Sequence, residues 1–165
     1  MTIYYCPVCH AENRMGDVTC SRCGAELGAS DEDYVSKLIS ALEHPEPETP
    51  VRAAWILGEL KERRAVEALE RVLTEAGRDP YLLASAVEAL GKIGDPGAVG
   101  SLALALKSSY LSVRLSAVEA LSRLGGEVAE RALGLAAADP NPSVREAAER
   151  ALQGLSAGHG ATTEG

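Results

Sequence analysis

Four cysteines form the residue pattern with the clearest chemistry in this sequence. They stand as two Cys-x-x-Cys pairs, Cys6 with Cys9 and Cys20 with Cys23, and ten residues separate the pairs. Two residues between thiolates allow a tight turn to point both sulfurs at one ion, and two such turns complete a tetrahedral site. The spacing therefore predicts a closed structural metal site, with Zn²⁺ as the metal, because four thiolates leave no open position for catalysis.

Disulfide bonds, a redox-active Cys-x-x-Cys and a rubredoxin-like iron site are the alternative interpretations of these thiols. The first residues contain no basic or apolar leader, which predicts a cytoplasmic protein, and such proteins rarely keep structural disulfides. A thioredoxin-type redox pair needs a βαβ context, which the sequence lacks. Iron binds the same four-sulfur geometry, so the sequence leaves iron open beside zinc.

The elements that position these cysteines are short, since the segment between the pairs cannot form a core of its own and must fold around its metal. Cys6–Asn13 and Cys20–Leu27, which read CPVCHAEN and CSRCGAEL, resemble the short zinc-ribbon family of prokaryotic proteins. The resemblance implies a small domain over residues 1–28, joined to the rest by a linker at 29–32. His10 stands where the family usually has Gly, which predicts strain in that turn and a histidine that is not a metal ligand.

Internal repetition organises the remaining chain. Four similar segments place Leu57, Leu90, Leu121 and Leu152 at one structural position, with spacings of 33, 31 and 31 residues. Apolar residues recur at helical spacing in each copy, and a second amphipathic segment follows each of the first three copies, so each repeat is a helical hairpin. With a leading helix at 33–43 and a trailing helix at 143–154, the pattern predicts eight helices in a mostly α-helical solenoid over 33–155, followed by a disordered tail at 156–165.

The punctuation of these segments agrees with helices. Four pairs combine a capping side chain with a proline suited to the first helical position: Thr49-Pro50, Asp79-Pro80, Asp95-Pro96 and Asn141-Pro142. Gly94 and Gly125-Gly126 predict the ends of the preceding helices. The copies resemble HEAT-like repeats of the phycobilisome-lyase type, most fully over Ala86–Leu106, and the resemblance covers roughly residues 33–155. It implies an α-solenoid but leaves the function open, because such repeats serve as scaffolds in unrelated settings.

The repeats contain few groups that could catalyse a reaction. Beyond the cysteine-bearing region the only histidines are His44 and, in the predicted tail, His159, and neither has a catalytic partner in the sequence. Some HEAT-like proteins bind iron through His-Glu pairs, and no such pair occurs in this chain. A nucleotide-binding glycine motif is also missing. We therefore predict a protein that is not an enzyme.

The charge of the chain excludes several partners. The net charge is −8 at pH 7, which disfavours phosphate backbones and anionic lipid surfaces. No apolar run is long enough to span a membrane. Nucleic acid and membrane are therefore not expected as partners, and a protein or peptide is.

The second helices of such solenoids line a concave surface, which predicts where a partner binds. The candidate binding residues on this surface are Gly100, Ser101, Leu104, Lys107, Arg131 and Leu135. Leu104 and Leu135 occupy the same position in successive copies among small side chains, whereas the preceding copy is polar. An amphipathic helix or an extended peptide fits such a groove. The alternative is that these leucines pack between repeats.

Two further expectations concern single residues of the repeats. Arg52, Arg114 and Arg145 each follow a valine and are expected to donate hydrogen bonds to loop carbonyls or to the Asp-Pro turns rather than bind phosphate. Trp55 is expected in the core, because it lies between small residues of a first helix.

The function predicted from these observations is a non-enzymatic adaptor that holds a structural zinc ribbon and binds a protein on its concave surface. A nucleic-acid-associated factor is the second hypothesis, because zinc ribbons occur in transcription and translation proteins. A lyase-like chaperone for a chromophore or another cofactor is the third, and only the repeat family suggests it. The sequence does not indicate an oligomeric state.

Overall fold

A computed structural model describes residues 3–6, 8–14, 17–27, 34–75 and 77–159. Within these ranges the chain forms eight α-helices and a small two-stranded sheet. The predicted linker at 29–32 and residues 160–165 of the predicted tail lie outside the described residues. No helix in the described part of the chain is both long and apolar enough to cross a membrane.

The N-terminal region consists of two small hairpins. Strands β1 (Ile3–Tyr5) and β2 (Glu12–Arg14) pair antiparallel, with Tyr5 opposite Glu12. An isolated bridge between Thr19 and Glu26 closes the second hairpin. Each hairpin carries one Cys-x-x-Cys pair at its turn. Both cysteine pairs therefore lie between two paired segments of backbone.

The remaining described chain is the predicted α-solenoid. Its helices are α1 (Tyr34–Ala41), α2 (Glu48–Glu59), α3 (Val66–Thr74), α4 (Pro80–Ile93), α5 (Val99–Ala105), α6 (Leu111–Leu124), α7 (Gly126–Ala136) and α8 (Pro142–His159). The first helices α2, α4, α6 and α8 pack side by side, and the second helices α3, α5 and α7 contact one another in a second row. Helix α1 packs on α2, and α8 also packs on α7. The predicted fold class and the number of helices are therefore confirmed.

Most of the predicted helix boundaries are present in the structure. The carboxylate of Asp79 accepts hydrogen bonds from the first N–H groups of α4, and Gly94 ends that helix in the left-handed conformation, with φ 72°. The prediction for Thr49 was wrong, because α2 already begins at Glu48 and no side chain caps it. Helix α8 continues to His159, four residues into the predicted tail, and the Ser156 hydroxyl donates to the carbonyl of Leu152 within it.

The repeat leucines form the centre of one continuous core. Leu57, Leu90 and Leu121 are fully buried. Leu152 is only half-buried, since no helix in the described part of the chain follows α8 in the row of first helices. The core thus runs through the stack and ends where the stack ends.

Glycines allow the first helices to approach closely. A Cβ atom added at Gly58 would lie 2.8 Å from the Cα of Ala89, and one added at Gly91 would lie 2.7 Å from the Cβ of Ala120. Real Cβ atoms essentially never approach so closely, so a side chain at either position would force the neighbouring helices to shift. The third copy has Ser122 at this position, and a cleft of about 440 Å³ lies between α6 and α8 beside it.

Two expectations for single residues need correction. Trp55 is 54% exposed and not in the core, because the buried stripe of α2 lies on the opposite side, at Ala54, Leu57 and Gly58. Its equivalents in the repeat register are charged, namely Glu88, Glu119 and Arg150. The repeat register, and not the residue type, was therefore the signal that indicated exposure.

The three arginines that follow a valine, Arg52, Arg114 and Arg145, do not share one role. Arg114 donates to the carbonyl of Ser108 and pairs with the carboxylate of Asp139 at 2.9 Å, and Arg145 donates to the carbonyl of Asp139 at 2.9 Å. The predicted structural role is thus confirmed for both. Arg52 stands two residues closer to its repeat leucine than the other two arginines do, and it instead lines a cleft of about 440 Å³ beside Tyr81.

Candidate functional site

The two Cys-x-x-Cys turns have matching backbone geometry. The N–H of His10 donates to the carbonyl of Cys6, and the N–H of Gly24 donates to the carbonyl of Cys20, both at 2.9 Å. These turns require a left-handed residue at their end, and His10 and Gly24 have φ angles of 57° and 72°. Gly adopts this conformation without cost, whereas a side chain is strained there. The expected strain at His10 is therefore present.

The turns bring the four predicted ligand atoms together. The sulfurs of Cys6 and Cys23 are 3.6 Å apart, those of Cys9 and Cys20 are 3.5 Å apart, and all four lie within 4.8 Å of one another. Four sulfurs at about 2.3 Å from a central ion in a regular tetrahedron are about 3.8 Å apart. The donor set and its spacing therefore fit one tetrahedral metal ion.

Backbone N–H groups lower the pKa of two of the thiols, those of Cys20 and Cys6. Burial opposes the ionised form of Cys20, but the N–H groups of Cys23 and Arg22 point at its sulfur and lower its pKa to about 6. The pKa of Cys6 is also lowered, because the N–H groups of Cys9 and Val8 outweigh the effect of burial. These thiols ionise more readily than an ordinary cysteine, which suits them to bind a cation.

The pKa of the Cys23 thiol is shifted in the opposite direction. The N–H of Ala25 acts to lower the pKa of Cys23, but the neighbouring thiol of Cys9 and burial raise it to about 12. The neighbouring sulfurs therefore oppose ionisation of the Cys23 thiol. A divalent cation would neutralise the negative charge on the sulfurs and allow all four thiols to be thiolates.

Asn13 connects the two turns, a role that no sequence pattern indicated. Its side chain is 6% exposed, and its amide nitrogen donates to the carbonyl of Ala11 at 2.8 Å and lies 3.7 Å from the sulfur of Cys20. Its amide oxygen accepts from the N–H of Ser21 at 3.1 Å. Asn13 thereby holds the second turn against β2. Asn13 lies between Glu12 and Arg14, and nothing in this polar segment of the sequence indicated that its side chain is buried.

The zinc-ribbon region contacts the solenoid at the turn between α1 and α2. His44 lies in this turn, and its Nε2 is 2.7 Å from the carbonyl oxygen of His10. The rings of these two histidines meet edge to face, with centroids 5.2 Å apart. The sequence gives His44 no catalytic partner, and the structure gives it a hydrogen-bond partner 34 positions away, which no local pattern indicated.

The second-helix face, defined by the six predicted residues of α5, α7 and the turn after α5, is largely open to solvent. Leu104 and Leu135 are 62% and 79% exposed, so they do not pack between repeats. Gly100 and Gly134 have no heavy atom within 4 Å of an added Cβ, which leaves open space beside both leucines. The two exposed leucines occupy the same position in successive repeats and lie next to residues without side chains.

The polar residues of the second-helix face differ from one another. Lys107 and Arg131 are exposed, and Arg131 lies 4.0 Å from Glu127 on its own helix. Ser101 is half-buried, and its hydroxyl donates to Glu70 of α3 at 2.6 Å. Ser101 therefore joins neighbouring second helices within the face on which a partner is predicted to bind.

Comparison with protein families supports both parts of this description. The family model for HEAT repeats matches residues 35–109 and 72–153, and the model for a zinc-ribbon domain matches residues 5–27. No curated protein matches the chain.

Several solved structures are similar to the chain. One chain of the CpcE–CpcF complex of phycocyanin lyase from Nostoc sp. PCC7120 is 27% identical to this chain, with a TM-score of 0.63. The match covers 79% of this chain and 56% of the lyase chain. Human deoxyhypusine hydroxylase is 28% identical with a TM-score of 0.66 over 78% of this chain and 45% of the hydroxylase. An engineered protein is 25% identical with a TM-score of 0.55, over 75% and 63%. The chain thus spans about half the length of the two natural proteins.

Proposed function

Because this chain belongs to the HEAT-repeat family and carries an N-terminal zinc ribbon, we propose that it is a non-enzymatic adaptor that binds a protein partner on its second-helix face. The observation that carries the proposal is the exposure of Leu104 and Leu135 at equivalent positions of two repeats. Large exposed apolar side chains that lie together indicate an interaction surface.

Charge around the leucines indicates the kind of partner. Arg71 of α3 occupies the repeat position of Leu104 and Leu135, so the three second helices present one cation and two leucines in a row. Arg71 and Lys107 are exposed, and neither forms an ion pair with another residue in the described part of the chain. A segment with an apolar face and acidic flanking residues matches this arrangement.

We assign a structural Zn²⁺ to the ribbon, with Cys6, Cys9, Cys20 and Cys23 as its ligands. When bound, the ion supplies folding free energy to a region with little apolar core. Four thiolates complete its coordination, so this role involves no reaction at the metal. Iron would be held by the same four sulfurs, and metal analysis of the purified protein decides between the two.

A lyase-like role for a chromophore or another cofactor is the second candidate, and the similarity to the phycocyanin lyase complex favours it. In this case the second-helix face would bind a partner that carries the chromophore. Visible absorbance of the protein purified from its source cell, in a preparation in which metal analysis finds no iron, would support this role. A nucleic-acid-associated role is disfavoured by the net charge of −8.

The adaptor proposal is tested by crosslinking and affinity capture from the source-cell lysate with the wild type and the double variant Leu104→Glu/Leu135→Glu. We expect the wild type to capture a defined protein, and the variant to lose it at least tenfold, because two carboxylates enter an apolar contact. The matched control is Leu60→Glu/Leu111→Glu, which adds the same charge at exposed leucines outside the second-helix face.

All three proteins must show the same ellipticity at 222 nm and melting temperature, since substitutions of exposed residues change stability little. Equal capture by the wild type and the Leu104→Glu/Leu135→Glu variant would contradict the proposed face. Nucleic acid in the captured material, with no protein, would favour the nucleic-acid hypothesis instead.

A further inference from the structure

His44 is a buried polar side chain in the turn between α1 and α2, and the sequence assigned it no function. Among the described residues, only Asn13 and His44 are polar and buried, and Asn13 belongs to the ribbon itself. Burial of an imidazole is unfavourable unless both ring nitrogens have hydrogen-bond partners. The turn between α1 and α2 must therefore provide a specific environment for this ring.

Both nitrogens of His44 have such partners. The N–H of Glu46 donates to Nδ1 at 3.1 Å, and Nε2 lies 2.7 Å from the carbonyl oxygen of His10. A carbonyl accepts only, so Nε2 carries the proton and Nδ1 is the acceptor. The ring is thus held in one tautomer, fixed by its own turn on one side and by the ribbon on the other.

The partner of His44 belongs to the metal-binding turn. His10 directly follows Cys9, and its N–H closes the turn on the carbonyl of Cys6. Its left-handed backbone is the conformation that Gly24 adopts in the second turn, so a strained residue stands where Gly would be relaxed. The His10 ring packs edge to face on His44. The strained residue therefore makes a contact that Gly could not make.

We infer that His44 is a positioning residue of the metal site: it holds the Cys9–His10 turn on the turn between α1 and α2, so metal binding and docking of the ribbon on that turn stabilise each other. Such coupling is reciprocal, because docking favours the metal-binding geometry as much as the metal favours docking. The inference rests on the four-cysteine site and not on partner binding at the second-helix face.

The affinity for Zn²⁺ tests this role directly. In the full chain, competition with a chromogenic chelator is measured for the wild type and for His44→Ala, His44→Gln and His159→Ala. We expect about tenfold weaker Zn²⁺ binding for His44→Ala, the usual effect when a group behind a metal ligand is lost. His44→Gln should recover most of the affinity, because its amide can donate to the same carbonyl. His159→Ala removes a histidine from the last helix and should bind as the wild type does.

Thermal unfolding gives the reciprocal measurement, with ellipticity at 222 nm as the signal of the solenoid. Added Zn²⁺ should raise the melting temperature of the wild-type helices, and this rise should disappear in His44→Ala. Equal Zn²⁺ affinity of the wild type and His44→Ala, or an equal rise in melting temperature, would overturn the role of His44. Absence of any Zn²⁺ binding by the wild type would overturn the metal site itself, whatever the partner experiment shows.

Discussion

In the zinc ribbon, the buried hydrophobic cluster of the described residues consists of Cys6, Cys20 and Leu27, and two of these three side chains are metal ligands. In the solenoid, one cluster of leucine, alanine, valine and isoleucine side chains runs from Leu38 to Ala151. The two regions thus overcome the conformational entropy of folding by different means. One relies on an ion and the other on apolar packing.

This difference shows why the two regions tolerate different changes. A structural Zn²⁺ contributes about 10–16 kcal/mol to the folding of zinc-finger peptides, and the described ribbon has little apolar core besides its metal site. A solenoid instead sums many similar contacts between neighbouring repeats. Loss of the metal should therefore unfold the whole ribbon and leave the solenoid folded. A substitution in the solenoid should instead lower the free energy of unfolding by an amount that depends on its position in the stack.

Removal of the metal should have the largest effect. With a chelator, or in Cys20→Ser, we expect the ribbon to unfold because it loses a contribution on the order of 10 kcal/mol. The helices should remain folded at 25 °C, with a lower melting temperature. Amide NMR shifts of the described ribbon residues should collapse to random-coil positions while ellipticity at 222 nm changes little. Ribbon shifts that persist without metal would contradict the comparison.

Removal of a repeat leucine should have the next largest effect. Leu90→Ala should lower the free energy of unfolding by about 2–5 kcal/mol, because it leaves a cavity at a fully buried position between α2 and α6. The matched control is Leu152→Ala, which changes the equivalent but half-buried residue of the last helix and should cost less. Chemical denaturation measures both. An equal loss in the two variants would show that stability does not depend on place in the stack.

Changes at glycine should have the smallest effects and differ in sign. Gly91→Ala should destabilise by about 1–3 kcal/mol, since its Cβ would overlap Ala120 of the next first helix. Gly134→Ala meets open space in α7 and should stabilise by about 0.5–1 kcal/mol, because Ala favours the helix. Denaturation midpoints resolve both. Stabilisation by Gly91→Ala would mean that α4 and α6 are farther apart than the structure shows.

Much of the fold and the metal site could be predicted, because both depend on patterns that are local in sequence. The spacing of the cysteine pairs indicated the cluster, and the repeated leucines indicated the stack. Asp79 and Gly94 marked the ends of α4 correctly, since capping involves residues only a few positions apart. The start of α2 was misplaced at Thr49, because the proline at position 50 is tolerated within the first helical turn.

The exposure and contacts of the candidate binding residues were predictable only in part. Leu104 and Leu135 were placed on the second-helix face from helical phase, and their exposure agrees with that phase. Ser101 was assigned to the same face, but its hydroxyl is bound to Glu70 of the preceding repeat. A hydrogen bond between neighbouring repeats depends on how the helices stack, which the phase of one helix does not specify.

The sequence by itself determined the ligand set, the helical hairpins and the register of the repeats, because these follow from spacing, periodicity and capping within short segments. Only the tertiary structure decided that His44 meets His10. That contact joins the ribbon to the solenoid across 34 residues, and neither residue type indicates the other. Packing geometry between distant segments fixes such a contact, and no local pattern encodes that geometry.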